Sequence, residues 1–171
     1  MDNIKKEACR KLYREAFNDD DIYFEELLFE NCSEYLKTFD ENGIPVSMCF
    51  ALPCLFKSGD SEKEAVYFYA AATDKKYRGR GYMGKLIEEL KNSENIIFLR
   101  PAEKSLINYY KKFGFDLTDC VCDYNDAEII PTDGFKKLTD KIKIDINYEK
   151  FILMYFSKSK ISKIKFPFSM F

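Results

Sequence analysis

Residues 66–90 constrain the fold more than any other stretch, because they predict a strand, a glycine-rich turn and a helix in immediate succession. Residues 66–72 carry no charge and are rich in aromatic and small apolar side chains, which is typical of a buried strand. After the turn, apolar residues recur with the period of a helix that buries one face: Met83, Leu86, Ile87 and Leu90.

The turn predicts an anion site. Gly79, Gly81 and Gly84 allow positive φ values and close approach of the backbone, and Arg78 and Arg80 add positive charge. The free N–H groups and the dipole at the start of the following helix converge on the same place. We therefore expect a phosphate or pyrophosphate group there.

The turn shares features with two nucleotide-binding motifs, the P-loop and the dinucleotide-binding pattern. A P-loop needs Ser or Thr after its Gly-Lys pair, and here Leu86 follows Gly84 and Lys85, which excludes that pattern. The glycines do match the dinucleotide pattern G-x-G-x-x-G, and Arg100 after the next apolar run could read a 2′-phosphate. That pattern places its first glycine at the end of the strand, whereas residues 73–78 intervene here. A dinucleotide-binding protein is therefore retained only as a third, less favoured candidate function.

The segment Tyr77-Arg-Gly-Arg-Gly-Tyr-Met-Gly84 resembles the pyrophosphate loop of GNAT superfamily N-acetyltransferases, Arg/Gln-x-x-Gly-x-Gly/Ala, with Arg78 and Gly81 at its first and fourth positions. Met83 departs from the sixth position and is similar to the loop of the enhanced-intracellular-survival branch. Asn108-Tyr-Tyr-Lys-Lys-Phe-Gly-Phe115 resembles the family's Tyr-x-x-x-Gly-Phe segment. The resemblance covers roughly residues 8–116.

The resemblance implies an α/β (α+β) fold with a mixed, mainly antiparallel central sheet flanked by helices and two strands splayed around coenzyme A. It implies one domain over residues 1–171, with C-terminal strands in 117–171, and transfer of an acetyl group from acetyl-CoA to a primary amine of a small molecule or peptide. The residues it assigns to the coenzyme are Ala72, Thr73, Arg78, Gly79, Arg80, Gly81, Tyr82, Met83, Gly84, Ser105 and Asn108.

The resemblance also assigns Tyr110 as the general acid for the departing thiolate, because it lies four residues before Gly114. A phenol, with an ordinary pKa of about 10, keeps its proton at neutral pH and can donate it. Packing is the alternative role for Tyr110, and the favoured one for Tyr109. A backbone N–H on the strand ending at Thr73 is expected to stabilise the oxyanion.

A general base is harder to assign, because the strand before the loop carries no carboxylate and the chain contains no histidine. Water could relay the amine's proton to Asp21 or Glu25, or the C-terminal carboxylate of Phe171 could enter the site, as it does in the branch named above. A non-catalytic module that senses coenzyme A or acyl-CoA is therefore the rival function.

The composition of the chain limits the kinds of molecule that it is expected to bind. The net charge of −2 over 171 residues argues against nucleic acid. The six cysteines include no Cys-x-x-Cys pair, so we interpret them as reduced, mostly apolar residues of a cytoplasmic protein and expect no metal. The N-terminus lacks an apolar signal core and no run is long enough to span a membrane, while a homodimer is left open.

The remaining elements follow from periodicity and turn signals. We expect helices over 4–17 and from Ile22, the latter capped by Asp21, and a further helix opened by Arg100 and Pro101 and ended by Gly114. Strands are expected at 35–39, 45–56, 66–73, 96–99, 117–124, 149–156 and 164–170. Pro53 suggests an edge or bulge, the strand at 96–99 should run parallel to the one before the loop, and 126–140 is expected to be a turn-rich loop.

Overall fold

A computed structural model describes residues 3–17, 21–94, 96–118, 127–143 and 152–156. Its helices are α1 (Asn3–Phe17), α2 (Ile22–Cys32), α3 (Tyr82–Ser93), α4 (Ile107–Lys111) and α5 (Asp133–Ile142). Its strands are β1 (Leu36–Glu41), β2 (Ile44–Ser58), β3 (Ser61–Thr73), β4 (Ile96–Leu99), β5 (Asp116–Thr118), β6 (Ala127–Pro131) and β7 (Ile152–Phe156).

The strands form one mixed sheet in the order β1-β2-β3-β4-β7-β5, with β6 paired to β2. Of the strand pairs within the described ranges, only β3 and β4 run parallel, because α3 carries the chain across between them. The predicted mixed, mainly antiparallel sheet flanked by helices is confirmed.

The first two helices begin where the sequence predicts. The side chain of Asp21 caps α2 by accepting a hydrogen bond from the N–H of Phe24 at 2.9 Å. Arg14 of α1 then binds the buried carboxylate of Glu25 through two hydrogen bonds, Nε to Oε2 at 2.6 Å and Nη2 to Oε1 at 2.8 Å. This bidentate ion pair fixes α1 against α2.

Pro53 lies inside a central strand, yet at a local edge. β1 pairs with β2 up to Phe50, and β6 takes over the same side of β2 from Cys54. Thr132 donates its N–H to the Pro53 carbonyl at 3.1 Å. Since the N and C=O of a strand residue point to the same side, the missing N–H of Pro53 falls in the gap between β1 and β6.

Two apolar clusters cover the two faces of the sheet. One contains side chains of α1, α2 and α5, such as Leu12, Phe29 and Phe135. The other contains side chains of α3 and α4, such as Leu86 and Tyr110. The sheet therefore has helices on both faces, and the loop between β3 and α3 emerges at one end of it.

The prediction of a turn-rich loop at 126–140 is wrong, because this segment forms β6 and α5. Gly134 lies within α5, where a Cβ would clash with the carbonyl oxygen of Asn31, so this glycine lets α5 pack closely on α2. The spacing of Phe135, Leu138 and Ile142 is that of a helix with one apolar face.

The helix expected to open at Arg100 and Pro101 begins later. Both residues are non-helical, and a 3₁₀ turn over Lys104–Leu106 leads into the short helix α4. The predicted stop is correct: Gly114 has φ +83°, and the N–H groups of Gly114 and Phe115 bond the carbonyls of Lys111 and Tyr110. The predicted strand 164–170, the carboxylate of Phe171, and residues 119–126 and 144–151 lie outside the described residues.

Candidate active site

A short segment held by hydrogen bonds connects β3 to the glycine turn. The N–H of Asp74 bonds the Val46 carbonyl at 3.0 Å, which ties the end of β3 to β2. A 3₁₀ turn over Lys75–Tyr77 follows, and Nε of Arg78 donates to the Thr73 carbonyl at 3.1 Å. Gly79 and Gly81 have φ values of +78° and +80°, which residues with a Cβ rarely adopt.

The start of α3 presents backbone donors at this turn. The first hydrogen bond of the helix runs from the Lys85 N–H to the Gly81 carbonyl at 3.0 Å. The N–H groups of Tyr82, Met83 and Gly84 therefore have no partner within the helix, and the positive end of the helix dipole adds to them. Together with Arg78, this arrangement suits a phosphate or pyrophosphate.

Gly84 connects the two sequence motifs. A Cβ at this position would lie 3.1 Å from the ring of Phe113, which belongs to the second motif. The absence of a side chain therefore lets the first turn of α3 pack against the end of α4.

A row of rings and cations borders the loop. The rings of Phe39 and Tyr82 stack with centroids 4.6 Å apart, and Lys85 Nζ lies 4.7 Å from the Phe39 centroid. The guanidinium of Arg80 lies 5.0 Å from the centroid of Tyr77, whose ring lies 6.4 Å from that of Tyr82. Lys85 and Arg80 thus each lie within cation–π distance of an aromatic ring.

Beyond the loop, β3 and β4 separate. Their parallel ladder covers only Val66 and Tyr67 opposite Ile97 and Phe98, while β3 continues to Thr73. Two adjoining cavities open along the separated part. The loop cavity, of about 680 Å³, lies beside residues 71–73 and the glycine turn. The inner cavity, of about 470 Å³, lies between residues 67–71 of β3 and residues 100–107.

Several side chains line both cavities and so mark their junction: Phe17, Ala71, Ala102, Glu103, Leu106 and Tyr110. At this junction β3 has a bulge, since Tyr69 faces Phe50 and Ala72 faces Met48, which leaves Ala70 and Ala71 opposite Cys49. Ala70 adopts φ +49°, the left-handed conformation typical of such a bulge. A bulge interrupts the ladder, so its backbone groups are available to a bound molecule.

Tyr110 is the titratable residue at the junction that is enclosed by protein. Its side chain is 7% exposed, with edge-on contacts to Phe68 and Phe115. Burial raises the pKa of its phenol well above the ordinary value, so the hydroxyl keeps its proton. Tyr109 differs: it is half-buried, lines only the loop cavity and packs on Phe113 at 5.2 Å.

The two carboxylates considered as bases are already engaged. Both oxygens of Glu25 accept hydrogen bonds from Arg14, and Asp21 caps α2. Neither lines either cavity, according to the residues described around them. Sequence reasoning missed Glu103, an exposed carboxylate that lines both cavities. Its position in the segment after β4, ahead of Tyr110, was the available signal.

The predicted coenzyme residues divide into two groups. Those that line the loop cavity are Ala72, Thr73, Arg78, Gly79, Gly81, Tyr82 and Met83. The others are not among its described lining: Arg80, Gly84, Ser105 and Asn108. Arg80 lies over Tyr77, Gly84 packs on Phe113, and both Ser105 and Asn108 are exposed on the surface of the segment that carries Tyr110.

Within the described ranges, no group of three or more His, Cys, Asp or Glu side chains could hold a metal ion. Cys9, Cys32, Cys49 and Cys54 are buried free thiols, as expected for apolar core residues, while Cys120 and Cys122 lie outside the described part. No described helix combines the length and apolar character that crossing a membrane requires.

Comparison with protein families matches residues 2–115 to the family model described as Acetyltransferase (GNAT) family. No curated protein sequence matches the chain. Since the match covers well over half of the sequence, the chain belongs to the acetyltransferase (GNAT) family. The predicted membership of the GNAT superfamily is confirmed.

Solved structures share the fold at low sequence identity. GCN5-related N-acetyltransferase from Kribbella flavida has a TM-score of 0.57 and 13% identity, covering 68% of this chain and 32% of that chain. Eis1 from Mycobacterium abscessus has a TM-score of 0.55 and 13% identity, covering 70% and 30%. Bacillus subtilis N-acetyltransferase YlbP, solved with coenzyme A, has a TM-score of 0.55 and 12% identity, covering 92% of each chain. The chain spans about a third of the length of the first two proteins.

Proposed function

We propose that this protein transfers an acetyl group from acetyl-CoA to a primary amine by direct attack of the amine on the thioester. The observation that carries the proposal is the place of Tyr110, a buried and protonated phenol at the junction of the two cavities and beside the β3 bulge. Family membership and the anion site at the start of α3 support the choice of donor.

In this proposal the coenzyme occupies the loop cavity. Its pyrophosphate accepts hydrogen bonds from the N–H groups of Tyr82, Met83 and Gly84 and is further neutralised by Arg78. The pantetheine arm then follows the edge of β3 that β4 leaves unpaired, past Thr73 and Ala72. The thioester would reach the bulge, where a freed N–H stabilises the oxyanion.

The chemistry needs one proton for the leaving group. The amine nitrogen attacks the carbonyl carbon, the C–S bond breaks, and the thiolate takes the phenol proton of Tyr110. The proton that the nitrogen loses returns to the phenolate through solvent, so Tyr110 is regenerated. A phenol whose pKa is raised by burial holds its proton until a strong base, the thiolate, forms next to it.

Thiol release from acetyl-CoA in the presence of an amine panel tests the activity, and thermal shift tests the coenzyme. Coenzyme A and acetyl-CoA should raise the melting temperature by mass action, whereas NAD, NADP and ATP should not. Stabilisation by NADP alone would contradict the assignment of the loop cavity.

The rival function is a coenzyme A sensor without catalysis. The observation in its favour is that residues 66–73 of β3 carry no carboxylate or histidine as a base. If acetyl-CoA stabilises the protein but no amine of the panel causes thiol release, this result would support the sensor and contradict the transferase.

A further inference from the structure

We propose that the inner cavity binds an aromatic amino acid as the acetyl acceptor, an inference that rests on the proposed function. The cavity combines ring-bearing walls with two cations and one carboxylate on a single segment, Arg100, Glu103 and Lys104. An acceptor that carries a ring, a carboxylate and an ammonium group on neighbouring atoms matches this combination.

The ring-bearing walls come from two elements. Tyr13 and Phe17 of α1 face Tyr67 and Tyr69 of β3 across the cavity lining. Tyr67 is fixed in place by stacking on Phe98, with centroids 5.0 Å apart and planes 6° apart. Tyr13 and Tyr67 are almost fully buried, so the ring surface open to an acceptor belongs mainly to Phe17 and Tyr69. Side chains held in place by such packing bind a flat apolar group at little entropic cost.

The two cations indicate an anionic group on the acceptor. Arg100 and Lys104 line the inner cavity and are absent from the described lining of the loop cavity. Their charge is therefore not directed at the pyrophosphate. A guanidinium fork matches a carboxylate in shape, and two cations together disfavour a polyamine by like-charge repulsion.

Glu103 supplies the opposite charge at the point where the reaction would occur. It lines both cavities, as does Tyr110, whereas its sequence neighbours Arg100 and Lys104 line only the inner one. The acceptor's ammonium group is thus drawn to Glu103 at the junction, and the acceptor's carboxylate is drawn to Arg100 and Lys104, away from the junction. This order presents the nitrogen, not the carboxylate, to the thioester.

The test measures thiol release from acetyl-CoA with four acceptors: L-phenylalanine, L-phenylalaninamide, phenethylamine and spermidine. Rates are compared at equal concentrations of the uncharged amine, because the amines differ in pKa. We expect kcat/KM for phenylalanine to exceed that for phenylalaninamide about tenfold, the effect of one charge-assisted contact at a partly exposed site. Spermidine should be the poorest acceptor.

Variants locate the preference. Arg100→Gln and Lys104→Gln should each lower the ratio of kcat/KM for phenylalanine over phenylalaninamide, and the double variant should bring it near one. The matched control is Lys112→Gln, an exposed lysine of the same region that lines neither cavity, which should keep the ratio. Stabilisation by coenzyme A confirms that each variant is folded.

The outcomes separate the two proposals. An active enzyme whose ratio is near one, or which prefers spermidine or phenethylamine, overturns the amino acid acceptor and leaves the acetyltransferase standing. A protein that binds coenzyme A but acetylates none of these four amines overturns this inference, and if it also acetylates no amine of the wider panel, it overturns the proposed function as well. A ratio that Lys112→Gln lowers as much as Arg100→Gln also overturns the inference.

Discussion

Half of the loop cavity is built from one consecutive stretch of the chain, whereas the inner cavity is built from three distant parts of it. The stretch runs from Ala72 to Met83 and comprises a strand end, a glycine turn and a helix start with free backbone N–H groups. The inner cavity needs α1, the middle of β3 and the segment from Arg100 to Tyr110. A backbone site recognises what all members of a family share, while a side-chain site can change its ligand by substitution.

The largest effect is expected where the two cavities meet. Tyr110→Phe keeps the ring and its packing but removes the proton for the thiolate. General acid catalysis contributes about 10²–10⁴-fold, so kcat should fall by this factor while stabilisation by coenzyme A persists. Steady-state kinetics and thermal shift on the same preparation measure both.

Tyr109→Phe is the control for this experiment, because Tyr109 lines only the loop cavity and lies about 100° around the helix from its neighbour. Its kcat should stay close to that of the unsubstituted protein. An equal loss in both variants would remove Tyr110 from the mechanism.

The next largest effect is expected on coenzyme binding in the loop cavity. Gly81→Ala forces a Cβ into φ +80° and places a methyl group where a phosphate must approach, so the stabilisation by coenzyme A should be lost. For a ligand at 100 times its Kd that stabilisation is about 2.7 kcal/mol. Thermal shift with saturating coenzyme A measures the loss.

Gly43→Ala is the control for Gly81→Ala, because it introduces the same backbone strain at a residue outside the described lining of the loop cavity. Gly43 has φ +77° in the β1–β2 turn, and a Cβ there would also meet nothing within 4 Å. Both variants should lose about 1–2 kcal/mol of stability from the left-handed conformation. If Gly43→Ala also abolishes the coenzyme shift, the loss reports general destabilisation instead of the loop.

Breaking the ion pair between α1 and α2 should have a smaller effect, on stability and on the inner cavity. Arg14→Gln leaves Glu25, which is 2% exposed, with fewer partners and should lower the free energy of unfolding by about 1–3 kcal/mol. Because Tyr13 and Phe17 of α1 line the inner cavity, while Phe17 touches the loop cavity only at its junction with the inner one, KM for the amine should rise by more than the affinity for coenzyme A falls. Urea unfolding and kinetics give the two quantities.

Lys136→Gln removes an exposed ion pair with Asp140 on α5 and serves as the comparison. Its cost should stay below about 0.5 kcal/mol, as for surface pairs in general. A coenzyme affinity that falls as much as the amine KM rises in Arg14→Gln would show that α1 supports both cavities equally.

The smallest expected effect is an absence of change with pH. Burial raises the pKa of Tyr110, so the phenol keeps its proton through the range near pH 10 in which an ordinary tyrosine ionises. The stabilisation tied to this neutral phenol is complete below about pH 10 and is lost above it. Between pH 7 and 10, kcat at saturating substrates should not fall through ionisation of Tyr110. A descending limb near pH 9 that Tyr110→Phe abolishes would contradict this expectation.

Much of the loop cavity could be predicted from the sequence, because glycines at positive φ and apolar residues with helical spacing are local signals. The inner cavity could not, since no local rule brings Tyr13, Tyr67 and Arg100 together. Glu103 was overlooked for the same reason: its importance depends on how β3 and β4 separate. The segment 126–140 differs, because it was expected to be a turn-rich loop although Phe135, Leu138 and Ile142 have helical spacing and Gly134 serves close packing against α2.

The bulge at Ala70 also changes which way later side chains point. Before it, Ala65 and Tyr67 pack with the α1 side of the sheet and Val66 and Phe68 with the α3 side. After it, Ala70 and Ala72 belong to the α1 side, so odd and even positions have exchanged faces. One extra residue thus acts as a phase shift within a single strand. If the strand instead continued its earlier alternation, Ala70 and Ala72 would face the α3 layer, and Ala71, which now packs on that layer, would face α1.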